Sequence, residues 1–297
     1  MNLTEISSLD QPGIERFFRL SETQLRRGGE GGSFIAESPN VILRALEAGM
    51  EPLAMLCETS FAEAALREGE PSAAREIFSR TGDIPVYAGS PELLSRITGY
   101  SLLRGVSCEF RRPLPRTPEE AVSGLPSFGH AAPGTLTEPQ RPVQTSRIAV
   151  TAGVVDAANI GAIFRSAAAL GIDAILLAPD CCDPLNRRTV RTSMGTVFQI
   201  PWAFIEGGDT VSALHSLGYK TAAMALRDDS LTPDSPALAA EERIAIILGN
   251  EGNGLPGTVI DASDYVVRIP MSHGVDSLNV AIAGAIAFYV LRKKQPG

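Results

Sequence analysis

The chain has 297 residues, 44% of them apolar and 20% charged, which is comfortable for two domains with real cores and excludes wholesale disorder. Its net charge of −8 is spread over both halves, −5 in residues 1–130 and −3 in 131–297. Neither half has the strongly basic balance of a protein that grips nucleic acid without specificity.

In chain order, Ile14–Arg27 reads as a helix. Phe34–Glu37 is short and apolar, and Pro39–Ala48 is a helix with Pro near its start and Gly49 beyond its end. Leu53–Cys57 is a strand, Pro71–Arg80 a helix, Pro85–Ala88 extended, Pro91–Ile97 a short helix and Val106–Phe110 a strand. Residues 1–112 therefore form a small α/β domain. Residues 113–145 are rich in Pro, Gly, Ser and Thr and read as a linker with a short helix at Pro118–Val122. Residues 146–297 alternate more cleanly. Strands are expected at Ile148–Val155, Ala174–Ala178, Val197–Ile205, Thr221–Leu226, Ile244–Gly249 and Val266–Ile269, with helices at Ile160–Leu170, Thr210–Leu217 and Ser277–Lys293. Short β-branched runs such as Ile244–Leu248 indicate strands buried on both faces, hence a mostly parallel sheet covered by helices.

No run of eighteen apolar residues is present, so no membrane span is expected. The first residues lack a basic region followed by an apolar stretch, so no signal peptide is expected either. Cys57, Cys108, Cys181 and Cys182 show no CxxC spacing, and the histidines are His130, His215 and His273. The expectation is reduced thiols in a cytoplasmic protein, with neither a metal site nor a disulfide framework.

In open parallel sheets ligands bind beyond the C-terminal ends of the strands. After the first strand of the second domain, Asp156 or Asn159 can cap a helix. The apolar face of that helix is Ile160, Ile163, Phe164 and Ala167. Arg165 lies about 200° around it from Ile163. Alone, these residues read equally as a cap and a surface arginine. After Ile244–Leu248 come four glycines in nine residues, Gly249 to Gly257, with Glu251 among them. Their GxxGxG order is not the dinucleotide fingerprint, and no GK[ST] follows. After the last strand, Ile269-Pro-Met leads to Ser277-Leu278-Asn279, where Ser277 suits an N-cap and Asn279 falls inside an apolar first turn. The final helix is apolar nearly all round, which marks it as buried, in part by a second subunit. The basic clusters Arg26/Arg27, Arg111/Arg112/Arg116 and Arg187/Arg188/Arg191 are solvated faces or phosphate contacts.

Taken together, Asn159-x-Gly161-x-x-x-Arg165, the glycine loop with Glu251, and Ile269-Pro270-Met271 followed by Ser277-Leu278-Asn279 resemble, in order, the three motifs of the SpoU (TrmH) family within the SPOUT methyltransferases. The stretch Arg191–Pro201 is similar to the family's segment between motifs. Ala157 stands where the family often has Pro. The N-terminal part resembles the ribosomal-protein-like RNA-binding domain that precedes many such catalytic domains, through Phe34-Ile-Ala-Glu-Ser-Pro, Ile84-Pro-Val, Ile97-Thr-Gly-Tyr and Arg104-Gly-Val.

The resemblance implies a deep trefoil knot in the C-terminal α/β domain, a homodimer whose interface helps to form the active sites, and S-adenosylmethionine as cofactor. Gly249, Ile269 and Leu278 would contact that cofactor. The implied reaction is transfer of methyl to a ribose 2′-hydroxyl of RNA, with 23S ribosomal RNA favoured over transfer RNA by the two-domain arrangement. A non-catalytic RNA-binding or assembly factor is the alternative. Arg165, Asn159, Glu251, Ser277 and Asn279 would form the catalytic constellation. Arg165 would hold a phosphate and stabilise charge on the 2′-oxygen, because a guanidinium resists deprotonation. Arg111, Arg112, Arg187, Arg188 and Arg191 are the expected RNA contacts, and reversal of Arg187 and Arg188 to Glu is expected to weaken RNA binding.

Overall fold

The structure is a computed structural model and describes residues 2–28, 31–67, 71–98, 105–123, 145–250 and 252–292. The chain divides into two compact units. The first is built around β1 (Asn2–Glu5), α1 (Glu22–Arg27), β2 (Ser33–Glu37), α2 (Pro39–Glu47), β3 (Pro52–Glu58), α3 (Thr59–Leu66), α4 (Ala73–Thr81), β4 (Pro85–Gly89), α5 (Pro91–Thr98) and β5 (Val106–Arg111). Its sheet has the order β1-β4-β3-β5-β2. The first three strands are parallel, and β5 runs antiparallel to both neighbours. The helix expected over Ile14–Arg27 is broken into a 3-10 turn at Glu15–Phe17 and α1, because Ser21 starts a new helix in a capping box with Gln24.

The second unit contains α6 (Pro118–Val122), β6 (Ser146–Thr151), α7 (Ala157–Ala169), β7 (Ala174–Leu177), β8 (Trp202–Phe204), α9 (Thr210–Ser216), β9 (Lys220–Met224), α10 (Pro236–Ala240), β10 (Arg243–Leu248), α11 (Gly257–Ala262), β11 (Tyr265–Val267) and α12 (Val280–Leu291); α8 (Arg187–Thr192) lies between β7 and β8 in the chain. The sheet is six-stranded, order β11-β9-β10-β6-β7-β8, and every pairing is parallel. β6 and β7 are buried at every position, as is β10 after its first residue, which is why Ile148–Val150, Ala174–Leu177 and Ile244–Leu248 read as continuous apolar runs. The strand expected over Val197–Ile205 is shorter. A 3-10 turn occupies Thr196–Phe198, and pairing begins at Trp202, after Pro201.

Helix α12 packs on α7 and β10. Gly284 permits the close approach, since a Cβ there would lie 2.9 Å from Leu248 Cδ1. The buried Arg147 at the start of β6 fastens the far end of α12, donating from Nε to the Leu291 carbonyl at 3.0 Å. No helix among the described residues is long and apolar enough to cross a membrane. Within the expected linker, α6 carries a Thr117–Glu120 capping box and buries Ala121 in the core of the second unit.

The units are not contiguous in sequence. Segment Pro184–Phe198, with α8, belongs to the first unit, not to the second, whose sequence surrounds it. Arg187 donates from Nε and Nη2 to Glu37 Oε1 at 2.9 and 2.5 Å and from Nη1 to the Phe17 carbonyl at 2.7 Å. The Glu37 side chain has no exposed surface. Phe198 packs on Phe34 with ring centres 5.6 Å apart, and Arg44 donates to the Met194 carbonyl at 2.5 Å.

Candidate functional site

The strand order reverses between β6 and β10, so the chain leaves these neighbours in opposite directions and a crevice opens beyond their C-terminal ends. A cleft of about 450 Å³ lies on the β10 side of that point, walled by the segments that follow β9, β10 and β11. Leu226, Leu248, Leu255, Ile269 and Leu278 supply apolar surface, with Arg268 and Asp276 as the charged side chains among the described residues.

The glycine loop forms one wall. Asn250 and Gly254 exchange backbone hydrogen bonds at 3.2 and 2.9 Å, closing the loop on itself. Gly254 takes a φ of +67°, and a Cβ on Gly249 would lie 2.6 Å from both Gly254 C and Leu255 N. Only glycine at 249 allows this fold-back, because the obstruction is backbone and cannot rotate away. Helix α11 follows at once, with Pro256 in the N-cap position. Glu251 lies outside the described residues.

The loop after β11 forms the facing wall. The N-cap of α12 is Asn279, not Ser277: Asn279 Oδ1 accepts from the amides of Ala281 and Ile282 at 3.0 and 3.3 Å. Asn279 Nδ2 donates to Asn159 Oδ1 at 2.9 Å, joining the first motif to the third. Ser277 is exposed and lines the cleft. Asp156, the other capping candidate, is the residue that caps α7, accepting from the Ala158 amide at 2.9 Å.

Gly249, Ile269 and Leu278 all line the cleft, as does Ser277. Asn159 and Asn279 do not line it; their hydrogen bond lies beside Leu278 and Val280, which do. Arg165 is exposed on α7, about 120° around the helix from Asn159, and is not among the described residues that line the cleft. A second, shallower hollow is formed by α7 and α12 with Ala162, Ser166, Asn279, Ile282, Ile286 and Tyr289, and Arg165 precedes Ser166 in the chain. Reading the sequence alone missed Met224–Leu226 and Asn250 as wall residues. The signal was available, since each follows a parallel strand at its C-terminal end.

The basic residues expected at RNA have other engagements in part. Arg187 is committed to buried Glu37, and Arg191 Nη1 stands 3.6 Å from the other Glu37 oxygen. Arg111 pairs with Glu51 at 2.7 Å, and its hydrogen bond holds the Glu51 carboxyl below the usual range. Arg188 is exposed, and Arg112 half-buried.

Residues 146–289 match the SpoU rRNA Methylase family. A Mycobacterium bovis protein described as an uncharacterized tRNA/rRNA methyltransferase is 34% identical over 294 residues, spanning 97% of this chain and 91% of that protein. The Bacillus subtilis 23S rRNA (guanosine(2553)-2′-O)-methyltransferase RlmP is 32% identical over 155 residues, 52% of this chain and 61% of its own. Among solved structures, an RNA 2′-O ribose methyltransferase superposes with a TM-score of 0.73 at 25% identity, covering 97% of this chain and 98% of that one. An AdoMet-bound rRNA methyltransferase from Sinorhizobium meliloti shares the fold, with a TM-score of 0.74 at 24% identity and 97% of each chain covered. With a relative matched over nearly its full length and three motifs gathered at one end of a parallel sheet, the chain belongs to the SpoU rRNA methylase family of RNA methyltransferases.

Proposed function

We propose that the protein transfers a methyl group from S-adenosylmethionine to a ribose 2′-hydroxyl of RNA, with 23S ribosomal RNA as the substrate class. The observation that carries this reading is the Asn279–Asn159 hydrogen bond. It brings the first and third motifs together at the edge of a cleft whose walls include Gly249, Ile269 and Leu278. The Bacillus relative named as a 23S rRNA 2′-O-methyltransferase aligns with about half of this chain and adds support for the ribose and the ribosomal target.

The cleft fits the cofactor in chemistry. Leu226 and Leu278, 55% and 39% exposed, are apolar surfaces suited to a flat base. The backbone of the Gly249 and Leu278 loops offers N–H and C=O groups for its polar edges. When bound, the cofactor supplies a methyl group on a positively charged sulfur. The chain's own residues then have to hold a 2′-oxygen in line with that methyl and stabilise the charge the oxygen acquires. Arg165 is a donor-only cation that serves the second need and holds a neighbouring phosphate. Asn159, fixed by Asn279, orients the ribose. Ser277 and Glu251 position the constellation.

The α7–α12 hollow, with Ile282 54% and Tyr289 56% exposed, is the face we assign to a second copy of the chain. It places the partner beside Asn279 and Arg165, so that a dimer completes each site. The N-terminal unit selects the RNA by shape and loops, which does not require a basic protein overall. Arg188 and Arg112 are its candidate phosphate contacts.

The test is methyl transfer from radiolabelled S-adenosylmethionine to ribosomal and transfer RNA from cells lacking this gene, with wild type and Arg165→Ala in parallel. Label in the 2′-O-methyl nucleoside of large-subunit RNA, lost in Arg165→Ala, is the expected result. Label confined to transfer RNA would move the substrate. Cofactor binding without label in any RNA or ribosomal particle would favour a non-catalytic RNA-binding factor.

A further inference from the structure

In-line transfer demands that the cofactor wall and the helix carrying Asn159 and Arg165 keep a fixed separation, since misplacement by about 1 Å can cost two orders of magnitude in rate. The backbone ladder between β6 and β10 ends with the Ala152 amide donating to the Leu248 carbonyl at 2.9 Å. Beyond that point the two chains diverge at the switch point, one into the loop that starts α7 and the other into the glycine loop. Asn250 spans the gap. Its Nδ2 donates to the Gly153 carbonyl at 2.7 Å, across 97 residues of sequence. Its Oδ1 accepts from the amides of Gly252 and Asn253 at 2.8 and 3.1 Å, shaping the glycine loop.

Gly153 is held from its other side as well. Its amide donates to Asp180 Oδ1 at 3.0 Å, from the loop after β7. Its φ of +69° is the left-handed region, and a Cβ there would stand 3.4 Å from Asn250 Cβ and 3.5 Å from Asp180 Oδ2. A buried neighbour, Val154, accepts the Cys182 amide at 2.9 Å. Three loops after three adjacent strands thus meet at one glycine, six residues before Asn159.

We infer that Asn250 and Asp180 are positioning residues that staple the cofactor loop to the start of α7 through Gly153. This rests on the reading of the cleft as the cofactor site, and it assigns neither residue to contact with substrate. Asn250→Asp separates the two tasks of the side chain. It keeps an oxygen for the Gly252 and Asn253 amides and replaces the donor to Gly153 with a second acceptor. Asp180→Ala releases the same glycine from the opposite side.

The experiment is hydrogen–deuterium exchange of residues 152–159 with and without S-adenosylmethionine, together with cofactor Kd by calorimetry and the kcat and KM of methyl transfer. In both variants the apo exchange of 152–159 is expected to be at least tenfold faster than in wild type. In Asp180→Ala, whose side chain is not part of the cleft wall, the cofactor Kd is expected to stay within fivefold, while kcat falls at least tenfold in both variants. Wild-type exchange at 152–159 in Asn250→Asp would overturn the inference. A Kd weakened more than fivefold in step with kcat in Asp180→Ala would also overturn it, reducing the contact to a support of the cofactor loop. If wild type methylates no RNA, the functional reading fails by itself, and the exchange data still decide the staple.

Discussion

Replacing Arg187 by alanine removes three donors at once and leaves the Glu37 carboxylate in a place with no exposed side-chain surface. Stripping one partner from a buried pair costs about 3–5 kcal/mol, because the remaining charge keeps its desolvation penalty. Arg191, 3.6 Å from Glu37 Oε2 and 35% exposed, still offers a positive charge, so the low end, about 3 kcal/mol, is expected here. For a unit of this size that lowers the melting temperature by about 10 °C. Thermal and urea unfolding of Arg187→Ala, Glu37→Gln and the double variant form a cycle in which the double variant loses clearly less than the sum of the singles. A loss below about 1 kcal/mol for Arg187→Ala, or simple additivity, would refute the assignment of a buried lock. The same geometry changes how charge reversal is read. Arg187→Glu sets two carboxylates against each other in the first unit and weakens RNA binding by unfolding it. Arg188→Glu, on the exposed side of α8, is the cleaner probe of a phosphate contact.

Gly249→Ala places a methyl group 2.6 Å from the backbone at Gly254 and Leu255. The loop must open, and cofactor affinity measured by calorimetry should fall more than tenfold with little change in melting temperature; wild-type affinity would count against the cleft. Asn279→Ala loses the α12 cap, worth about 1 kcal/mol, and the link to Asn159, so both stability and methyl transfer fall. Asn279→Asp keeps the capping oxygen and loses only the donor, so its melting curve should stay near wild type while its activity drops with the alanine variant. Burial pushes the Asp264 carboxyl up, but hydrogen bonds from Lys220, the Thr221 amide, His215 and the Thr221 hydroxyl outweigh it and hold the carboxyl well below the usual range. A depressed folded-state value means stability that is present above about pH 4 and lost as the pH falls further. Urea midpoints of Asp264→Asn should therefore decline less steeply than wild type between pH 4 and pH 2.

The catalytic unit was legible where burial writes itself into local pattern. β7 and the runs Ile148–Val150 of β6 and Ile244–Leu248 of β10 are apolar without interruption, α7 shows its buried stripe at Ile160, Ile163, Phe164 and Ala167, and the glycine loop announces a fold-back. Ends of elements were harder. Ser277 has the composition of an N-cap, yet the helix starts two residues later, because Asn279 satisfies two amides and a distant amide group together. Short helices such as α8, with the sequence RRTVRT, have no apolar period to detect. The affiliation of Pro184–Phe198 with the first unit was invisible for another reason. It depends on Glu37 meeting Arg187 and Phe34 meeting Phe198, pairs too far apart in sequence for any window to connect. The staple at Gly153 is of the same kind, a long-range hydrogen bond between residues that look like ordinary turn formers.

A unit completed by Pro184–Phe198 also has consequences for how the protein is made and how it can be recombined. Glu37 waits 150 residues for Arg187 during synthesis, a delay of roughly 8–30 s at common ribosomal speeds. Through that interval the nascent N-terminal sheet carries an acidic residue whose counter-charge has not yet been translated. Cutting the gene at the Pro-rich stretch would not transplant a finished module, because the piece that completes it is encoded within the other one. Exchange of the N-terminal unit between relatives built this way must carry two separated stretches of sequence together.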